Sequence, residues 1–555
     1  MQSLMMDYQL TIPALIRRAE QLHGGKAIVD RQPDRSIHRT TYRETIGRAR
    51  RLAGALRALG VTRGDRVATF CWNHHQHLEV YYGVPAMGAV LHTLNIRLHA
   101  EDLAYIANHA GDRVIIVDRV LLPAFEQFRE RLSSVEHVIV VGGGIERPAE
   151  GMLDYETLVS DAAPHAFDDE IDEYEPAAMC YTSGTTGAPK GVVYSHRSTV
   201  LHTLAFCLAD IDVARESDTL LAIVPLFHAN AWGTPYAALM IGAAQVLPGP
   251  HLDAASLLEL LAGERVTVAF GVPTIWTGVL QALEKSPNTY DLSRLRTVLS
   301  GGSAVPPRMI RAFKEQVGVD VLQAWGMTEM SPLGSHCRLT AELSEADEET
   351  RLRCQATQGR PAPLVEIRAR SEAGIVPWDG ETMGELEVRG PWIASAYYES
   401  PESADRFTND GWFRTGDIVT IDERGYIRIC DRSKDVIKSG GEWISSVALE
   451  TALAGHPDVL EAAVVGVPHP RWDERPLALV VRREGRTATA ESLRAYLEPQ
   501  FPKWWLPDSF EFVDAIPKTT VGKILKRTLR EQYCGYYGAA AGASRASEAS
   551  PAVTT

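Results

Sequence analysis

Short runs of apolar, largely β-branched residues alternate with stretches of helical periodicity through most of the chain, and this rhythm restricts the fold more than any other feature. Between Tyr42 and Leu59 apolar residues recur near helical spacing (Ile46, Ala49, Leu52, Leu56, Leu59), Gly60 supplies a stop, and Arg63-Gly-Asp65 turns into Arg66-Val-Ala-Thr-Phe70. A helical stretch from Glu101 to His109 leads to Arg113-Val-Ile-Ile-Val-Asp118, and another from Ala124 to Leu132 leads to His137-Val-Ile-Val-Val141, which Gly142-Gly-Gly144 ends. Such alternation predicts βαβ units and a largely parallel sheet covered on both faces.

The rhythm resumes further on. The runs Thr219 to Val224, Val266 to Phe270, Leu295 to Ser300 and Val321 to Trp325 each end in a Gly- or Pro-containing loop, among them Pro225-Leu-Phe-His-Ala-Asn-Ala-Trp-Gly-Thr-Pro235, Gly301-Gly-Ser-Ala304 and Gly326-Met-Thr-Glu329. Open α/β sheets bind ligands outside the carboxyl ends of their strands, so these loops are expected to converge on one site. At Glu385-Leu-Glu-Val-Arg-Gly390 the pattern changes to alternation, as in a β subdomain, which Gly411-Trp-Phe-Arg-Thr-Gly-Asp417 and Gly425-Tyr-Ile-Arg-Ile429 continue. The charged run Asp431-Arg-Ser-Lys-Asp435 reads as a linker. Beyond it a helix near Ser446 to Leu453, strands at Leu460 to Val467 and Leu477 to Val481, a helix near Ala490 to Leu497 and a strand at Ser509 to Val513 make up one small α+β domain. The Ala/Ser/Gly-rich end, from Gly535 to Thr555, is expected to be disordered.

Tyr181-Thr-Ser-Gly-Thr-Thr-Gly-Ala-Pro-Lys-Gly191 interrupts the first series after the apolar run Pro176-Ala-Ala-Met-Cys180. Glycines allow close backbone approach, and amides and hydroxyls offer donors to phosphate oxygens, with the Lys190 charge nearby. It is not a Walker loop, since Lys190 is followed by Gly191 rather than Ser or Thr. A phosphate cradle and a plain polar surface loop both remain open at this stage.

Bulk properties exclude several classes. A chain of 555 residues with 45% hydrophobic and 23% charged residues is globular, and a net charge of -15 argues against nonspecific nucleic-acid binding. Any anionic ligand must then be held by local cations and oriented amides. Seven cysteines without a C-x-x-C pair suggest neither a zinc site nor a disulfide framework, and fit a reducing compartment. The first residues do not resemble a secretory signal, and no stretch approaches the ~20 uninterrupted apolar residues of a membrane span, so a cytoplasmic location is expected. His74, His75 and His77 lack helical H-x-x-x-H spacing and have no carboxylate or cysteine cluster beside them, so they are expected to be surface or packing residues.

Five segments in order, Tyr181 to Gly191, Trp325-Gly-Met-Thr-Glu329, Trp412-Phe-Arg-Thr-Gly-Asp417, Asp431-Arg-Ser-Lys-Asp-Val-Ile-Lys-Ser-Gly-Gly441 and Pro517-Lys-Thr-Thr-Val-Gly-Lys523, resemble the core motifs of the adenylate-forming enzymes, a family of acyl-CoA synthetases, luciferases and peptide-synthetase adenylation domains. The resemblance spans about residues 10 to 533. It implies an α/β protein with a large N-terminal domain of several sheets, two α/β layers plus a β subdomain, over residues 1–430. A hinge linker at 431–435, a small mobile α+β C-terminal domain at 436–533 and a disordered tail at 534–555 complete the expected organisation. It also implies two half-reactions: a carboxylate attacks the α-phosphorus of ATP to give an acyl-adenylate and pyrophosphate, and a thiol then attacks the activated carbonyl.

The same resemblance assigns roles. Thr182, Ser183, Gly184, Thr185, Thr186, Gly187 and Lys190 would hold phosphates, and Thr185 with Glu329 would hold Mg²⁺. Gly302, Ser303 and Ala304 on one side and Trp325, Gly326, Met327 and Thr328 on the other would bound the adenine; many relatives carry Tyr where Trp325 stands, so stacking survives without the phenol. Asp417 and Arg432 would reach the ribose, the arginine also the phosphates. Lys523 would serve adenylation beside Glu329 and His228, Asp431 would be the hinge, Trp232 a gate to the acyl tunnel, and Lys438, Gly440 and Gly441 would line the thiol tunnel. Ala231, Gly233, Ala269, Gly271 and Val272 give the expected acyl pocket small or apolar walls and no partner for an ammonium, which favours an apolar acid over an amino acid. No carrier domain is read after Gln532, so free CoA is the expected thiol.

The expected reaction is therefore ATP-dependent ligation of a medium- or long-chain fatty acid to CoA, with a short sulfur-containing acid such as methylmercaptopropionate, or an aryl acid, as alternatives. A luciferase-like oxidase and a non-catalytic nucleotide- or acyl-binding protein represent the other classes. A homodimer is compatible with this reading.

Overall fold

Val114, Ile115, Ile116 and Val117 are all fully shielded from solvent, the burial that a parallel strand acquires when helices cover both of its faces. In the computed structural model, which describes residues 1, 3–142, 151–168, 170–182, 188–208, 211, 214–440, 442–517 and 524–537, they belong to the strand Asp112–Asp118, an interior strand of a seven-stranded sheet. Its strand order runs Met152–Asp154, His137–Val141, Asp112–Asp118, Arg66–Phe70, Val90–Thr93, Pro176–Tyr181, Gly191–Ser195. All neighbours are parallel except the final pair, an antiparallel hairpin that straddles the Thr/Ser/Gly motif.

A second, nine-stranded sheet is built from the later series. Asp320–Gly326, Thr297–Ser300, Val268–Gly271, Thr219–Ala222, Ala244–Leu247 and Ala27–Arg31 run parallel in that order. Ile37–Thr41 closes one edge antiparallel, and Leu333–His336 and Arg360–Pro361 close the other. Its core packs Leu221, Ala269, Val298 and Val321 against Leu257, Trp276, Ile310 and Phe313 from the covering helices.

Helix Tyr42–Ala58 shows why the local sequence folds as it does. Thr41 and Glu44 form a reciprocal capping box, with Glu44 N donating to Thr41 Oγ1 (3.3 Å) and Thr41 N to Glu44 Oε2 (2.9 Å), while Ile46, Ala49, Leu52, Ala53 and Leu56 are wholly buried. The expected helix from Ala124 to Leu132 is instead broken into Leu122–Phe125 and the 3₁₀ turn Arg129–Arg131. Phe125 and Phe128, three residues apart, meet edge to face (5.2 Å) in the core, and the polar Arg-Glu-Arg that follows offers no further apolar position to extend a helix.

His74, His75 and His77 are not on the surface. They stand at the start of helix His75–Ala86, every residue of which is buried, and carboxylates distant in sequence meet the first two, while His77 bonds Trp72 O and Thr69 Oγ1. His74 Nε2 lies 2.7 Å from Asp118, while its Nδ1 accepts from His77 N and caps the helix, so both nitrogens are committed. Cys71 stands beside this pair, but its thiol donates to Ile116 O and burial pushes its pKa far up. Asp30 Oδ1 takes Nδ1 of both His38 (3.1 Å) and His75 (2.9 Å). Both Nδ1 atoms are thus taken by one carboxylate oxygen, and the two rings lie stacked, 3.9 Å apart and 24° from parallel. The histidines are buried, and the carboxylates and the cysteine that the sequence does not show beside them are there in the fold.

The chain divides into two compact units, Met1–Glu366 with Val388–Phe413, and Ile367–Glu387 with the chain from Arg414 onward. The second contains most of a five-stranded sheet ordered Gly374–Ile375, Glu366–Ser371, Gly384–Arg389, Phe413–Ile421, Ile427–Arg432. It also contains a sheet in which Val459–His469 and Asp473–Arg482 form a long antiparallel pair, with Ser509–Phe512 added parallel to the latter. The run expected as a linker is partly strand: Asp431 and Arg432 end Ile427–Arg432, paired with Ile418 and Asp417. No helix among the described residues is long and apolar enough to cross a membrane.

Glu79, wholly buried in the first unit, is held by Arg48 Nε (2.6 Å) and by the Tyr155 hydroxyl (2.7 Å). Arg48→Met leaves that carboxylate uncompensated and is expected to destabilise the fold by about 3 kcal/mol in denaturant unfolding. Adding Glu79→Leu should recover most of the loss.

Candidate functional site

Three strand ends of the nine-stranded sheet supply one cavity. The loops after Thr219–Ala222, Thr297–Ser300 and Asp320–Gly326 bring His228, Trp232, Gly302, Trp325 and Thr328 around a space of about 90 Å³, closed by Leu333 and His336. Glycine is required at its walls. A Cβ on Gly301 would lie 3.2 Å from the Trp232 indole, and one on Gly326 would lie 1.7 Å from Pro332 O. Trp232 is carried by a turn in which Ala229, Asn230, Ala231 and Trp232 all have positive φ (43°, 51°, 47° and 58°). Ser303 and Ala304, expected beside the adenine, are exposed and outside the lining of this cavity.

Glu329, on the 3₁₀ turn Thr328–Met330, is buried, and its Oε1 accepts from the Tyr397 hydroxyl at 2.5 Å. Burial and the adjacent Glu329 charge push the Tyr397 pKa up, so the phenol stays protonated and donates. The turn is pinned by Tyr194 OH donating to Thr328 O (2.6 Å) and Ala394 N to Glu329 O (2.8 Å). Lys190 Nζ stands 5.1 Å from the centre of the Tyr397 ring, so one aromatic side chain carries the motif lysine on its face and the glutamate on its hydroxyl. Thr182 and Lys190 close the neck of their loop through Thr182 N to Lys190 O (2.9 Å) and Lys190 N to Thr182 Oγ1 (3.3 Å). Ser183, Gly184, Thr185, Thr186 and Gly187 lie outside the described residues.

The remaining motif residues belong to the second unit, where strand pairing groups some of them. Asp417 and Arg432 are cross-strand partners, with Arg432 Nε 2.9 Å from the buried Asp417 Oδ1. Asp431 accepts from Arg432 N (2.8 Å) on one oxygen and from Ser446 N (2.6 Å) and Oγ (2.5 Å) on the other. Ser446 Oγ in turn accepts from Lys526 Nζ (2.6 Å), which pairs with Glu450 Oε1 at 2.8 Å. Lys438 is exposed, its backbone N–H donating to Glu474, and Gly440 (φ 62°) donates to Trp472 O at 2.8 Å. Gly441 and Lys523 lie outside the described residues.

Tyr397, Glu450 and Lys526 escaped the sequence reading. Tyr397 sits in Ala396-Tyr-Tyr-Glu399 with no spacing that ties it to Glu329, and Lys526 opens a strongly basic helix, Lys526–Tyr533, in which a lysine reads as solvated. Only three-dimensional proximity reveals them.

Burial pushes Glu450 up to about 6, the Lys526 charge only partly offsetting it. A carboxylate whose folded value lies above its ordinary 4.5 favours folding below 4.5, and that contribution disappears as pH rises through 6. Wild type should therefore gain about 2 kcal/mol relative to Glu450→Gln between pH 7 and pH 4. Urea unfolding at the two pH values measures it, and a difference independent of pH would exclude the assignment.

The chain matches the AMP-binding enzyme family over residues 15–398 and the AMP-binding enzyme C-terminal domain over 448–523. It is 50% identical to a long-chain-fatty-acid–CoA ligase of Thermus thermophilus, covering 97% of this chain and 98% of that one. To a 3-methylmercaptopropionyl-CoA ligase of Ruegeria pomeroyi it is 45% identical, over 95% of this chain and 98% of the relative. Among solved structures, an anthranilate CoA ligase in complex with anthranoyl-AMP superposes with a TM-score of 0.81 at 28% identity, over 96% of this chain and 99% of that one.

Proposed function

Because the chain belongs to the AMP-binding enzyme family and is an AMP-forming acid–CoA ligase with ATP and CoA as substrates, we propose that it activates an apolar carboxylic acid, of medium or long chain, as its adenylate and passes the acyl group to CoA. The observation that carries this reading is the shared cavity. His228 and Trp232, expected beside the acid, and Gly302, Trp325 and Thr328, expected beside the nucleotide, line the same space, as joining an acid to an α-phosphate requires.

Within that reading, Lys190 and the loop it closes hold the phosphates, Trp325 offers its face to the adenine, and Asp417 with Arg432 takes the ribose. Lys523 offsets the charge that gathers between carboxylate and α-phosphate. Residues 436–533 then turn about Asp431 relative to residues 1–430, and Lys438, Gly440 and Gly441 line the path of the pantetheine thiol. Glu329 suits Mg²⁺, which takes hard oxygen donors, and Tyr397 fixes the orientation of its carboxylate; Glu329 and Thr185 would hold the ion. When bound, the ion supplies counter-charge to the phosphates.

The 45% identity to a 3-methylmercaptopropionyl-CoA ligase also favours a second reading, a short acid such as a sulfur-containing propionate. Thioester formation across short, medium, long-chain, aryl and sulfur-containing acids separates the two. Acid-stimulated ATP–pyrophosphate exchange without any CoA-dependent thioester would point to an oxidase of the same fold, and no exchange at all to a binding protein.

Lys523→Ala should slow adenylate formation by roughly a hundredfold or more, as loss of one electrostatic group at a developing charge does. Pyrophosphate release at the wild-type rate would dismiss the role. Tyr397→Phe removes a hydrogen bond to a buried carboxylate and should raise the KM for Mg·ATP about tenfold, with the KM for CoA unmoved.

A further inference from the structure

The turn that carries Trp232 is the strongest backbone anomaly in the protein. Four consecutive non-glycine residues, Ala229 to Trp232, occupy the left-handed region, where such residues are individually uncommon. Left-handed runs of this kind persist only where the surroundings over-determine them, and they cluster at ligand clamps and switches. Ala229, Ala231 and Trp232 have no intrinsic tolerance for positive φ. Asn230 has, because its short polar side chain can bond locally.

Here that side chain points inward and is anchored. Asn230 Oδ1 accepts from the Tyr81 hydroxyl at 3.2 Å and from the Cys180 thiol at 3.3 Å, and all three residues are buried. Leu226 O stands 2.5 Å from the same hydroxyl, whose single proton is shared between the two acceptors, so one phenol touches both limbs of the loop from helix His75–Ala86. Cys180 is set in the strand Pro176–Tyr181 and has Thr93 Oγ1 at 3.5 Å. Burial raises the pKa of both phenol and thiol, which keeps them protonated as donors. Two residues beyond Asn230, the Trp232 indole leans over Gly301 and bounds the cavity.

We propose that Asn230 is a positioning residue for acid selection: its side-chain oxygen, clamped by Tyr81 and Cys180, sets the left-handed turn that holds Trp232 across the cavity and so limits the length of acid admitted. The proposal rests on reading that cavity as the acyl site. Asn230 touches no substrate in this scheme and acts through Trp232.

The test is the ratio of kcat/KM for dodecanoate to that for butyrate, in which any general loss of folded enzyme cancels. Asn230→Gly keeps a residue that accepts positive φ but deletes the clamp, and should raise the ratio at least fivefold. Tyr81→Phe, which leaves the turn's own residues unaltered, should raise it in the same direction, and keeps the test decisive if the glycine variant folds poorly. Trp232→Ala should raise it too, and adding Asn230→Gly to Trp232→Ala should change nothing further. If Trp232→Ala moves the ratio while Asn230→Gly and Tyr81→Phe do not, or if the Asn230→Gly effect persists in the Trp232→Ala background, the positioning role is overturned. If Trp232→Ala itself leaves the ratio unmoved, the acyl-site reading of the cavity fails, and the proposal with it.

Discussion

A parallel strand buried on both faces can reach solvent only at its ends. That constraint organises the first unit of this protein: the strands of the nine-stranded sheet are buried, and the residues that line the cavity gather in and beside the loops where strands stop. Ser300-Gly-Gly, Trp325-Gly-Met and the His228 to Trp232 turn come together because neighbouring strands share that end. The glycines there are consequences of crowding, since a Cβ on Gly326 would meet a backbone carbonyl that cannot yield.

A second constraint is charge. The chain is strongly acidic overall, yet ligands of this family carry phosphates, so positive groups have to be placed one at a time. Lys190 illustrates how: its ammonium rests over the Tyr397 ring instead of pairing with the nearby Glu329, which is occupied by the hydroxyl of that same tyrosine. A lysine neutralised by a salt bridge would have less to offer an anion. In the second unit the opposite solution appears, where Asp431, Glu450 and Lys526 share a buried network with one ammonium between two carboxylates.

Periodicity exposed most of this architecture. The strand around Ile115 and the helix over Ala490–Leu497 are where their patterns put them, because local propensity and burial agree there. Legibility failed where side chains meet across distance. The carboxylates that satisfy His74 and His75 lie more than forty residues away, so a histidine-rich stretch that reads as either surface or packing is core. The Ala124 to Leu132 helix was lost to two phenylalanines packing at three-residue spacing, and Asp431 looked like linker because strand pairing with Ile418 leaves no local mark. Of the candidate site, His228, Trp232, Gly302, Trp325 and Thr328 stand in loops that could be picked out along the chain and meet at one cavity, whereas the contacts of Tyr397, Asn230 and Lys526 leave no such mark.

The five-stranded sheet has a bearing on how the chain could be cut and recombined. Its strands Glu366–Ser371 and Gly384–Arg389 precede Val388–Phe413, which returns to the first unit, whereas Phe413–Ile421 and Ile427–Arg432 follow it. The polypeptide therefore visits the second unit, leaves it and comes back, although the first family match ends at residue 398. A junction placed at that match boundary would strip Gly384–Arg389 of a neighbour and bare a row of unpaired backbone groups, an invitation to aggregate. Modules exchanged between relatives keep the hydrogen-bonded edges of this sheet when the seam falls before Glu366 or beyond Arg432, so a workable seam is set by sheet pairing, not by where sequence similarity fades.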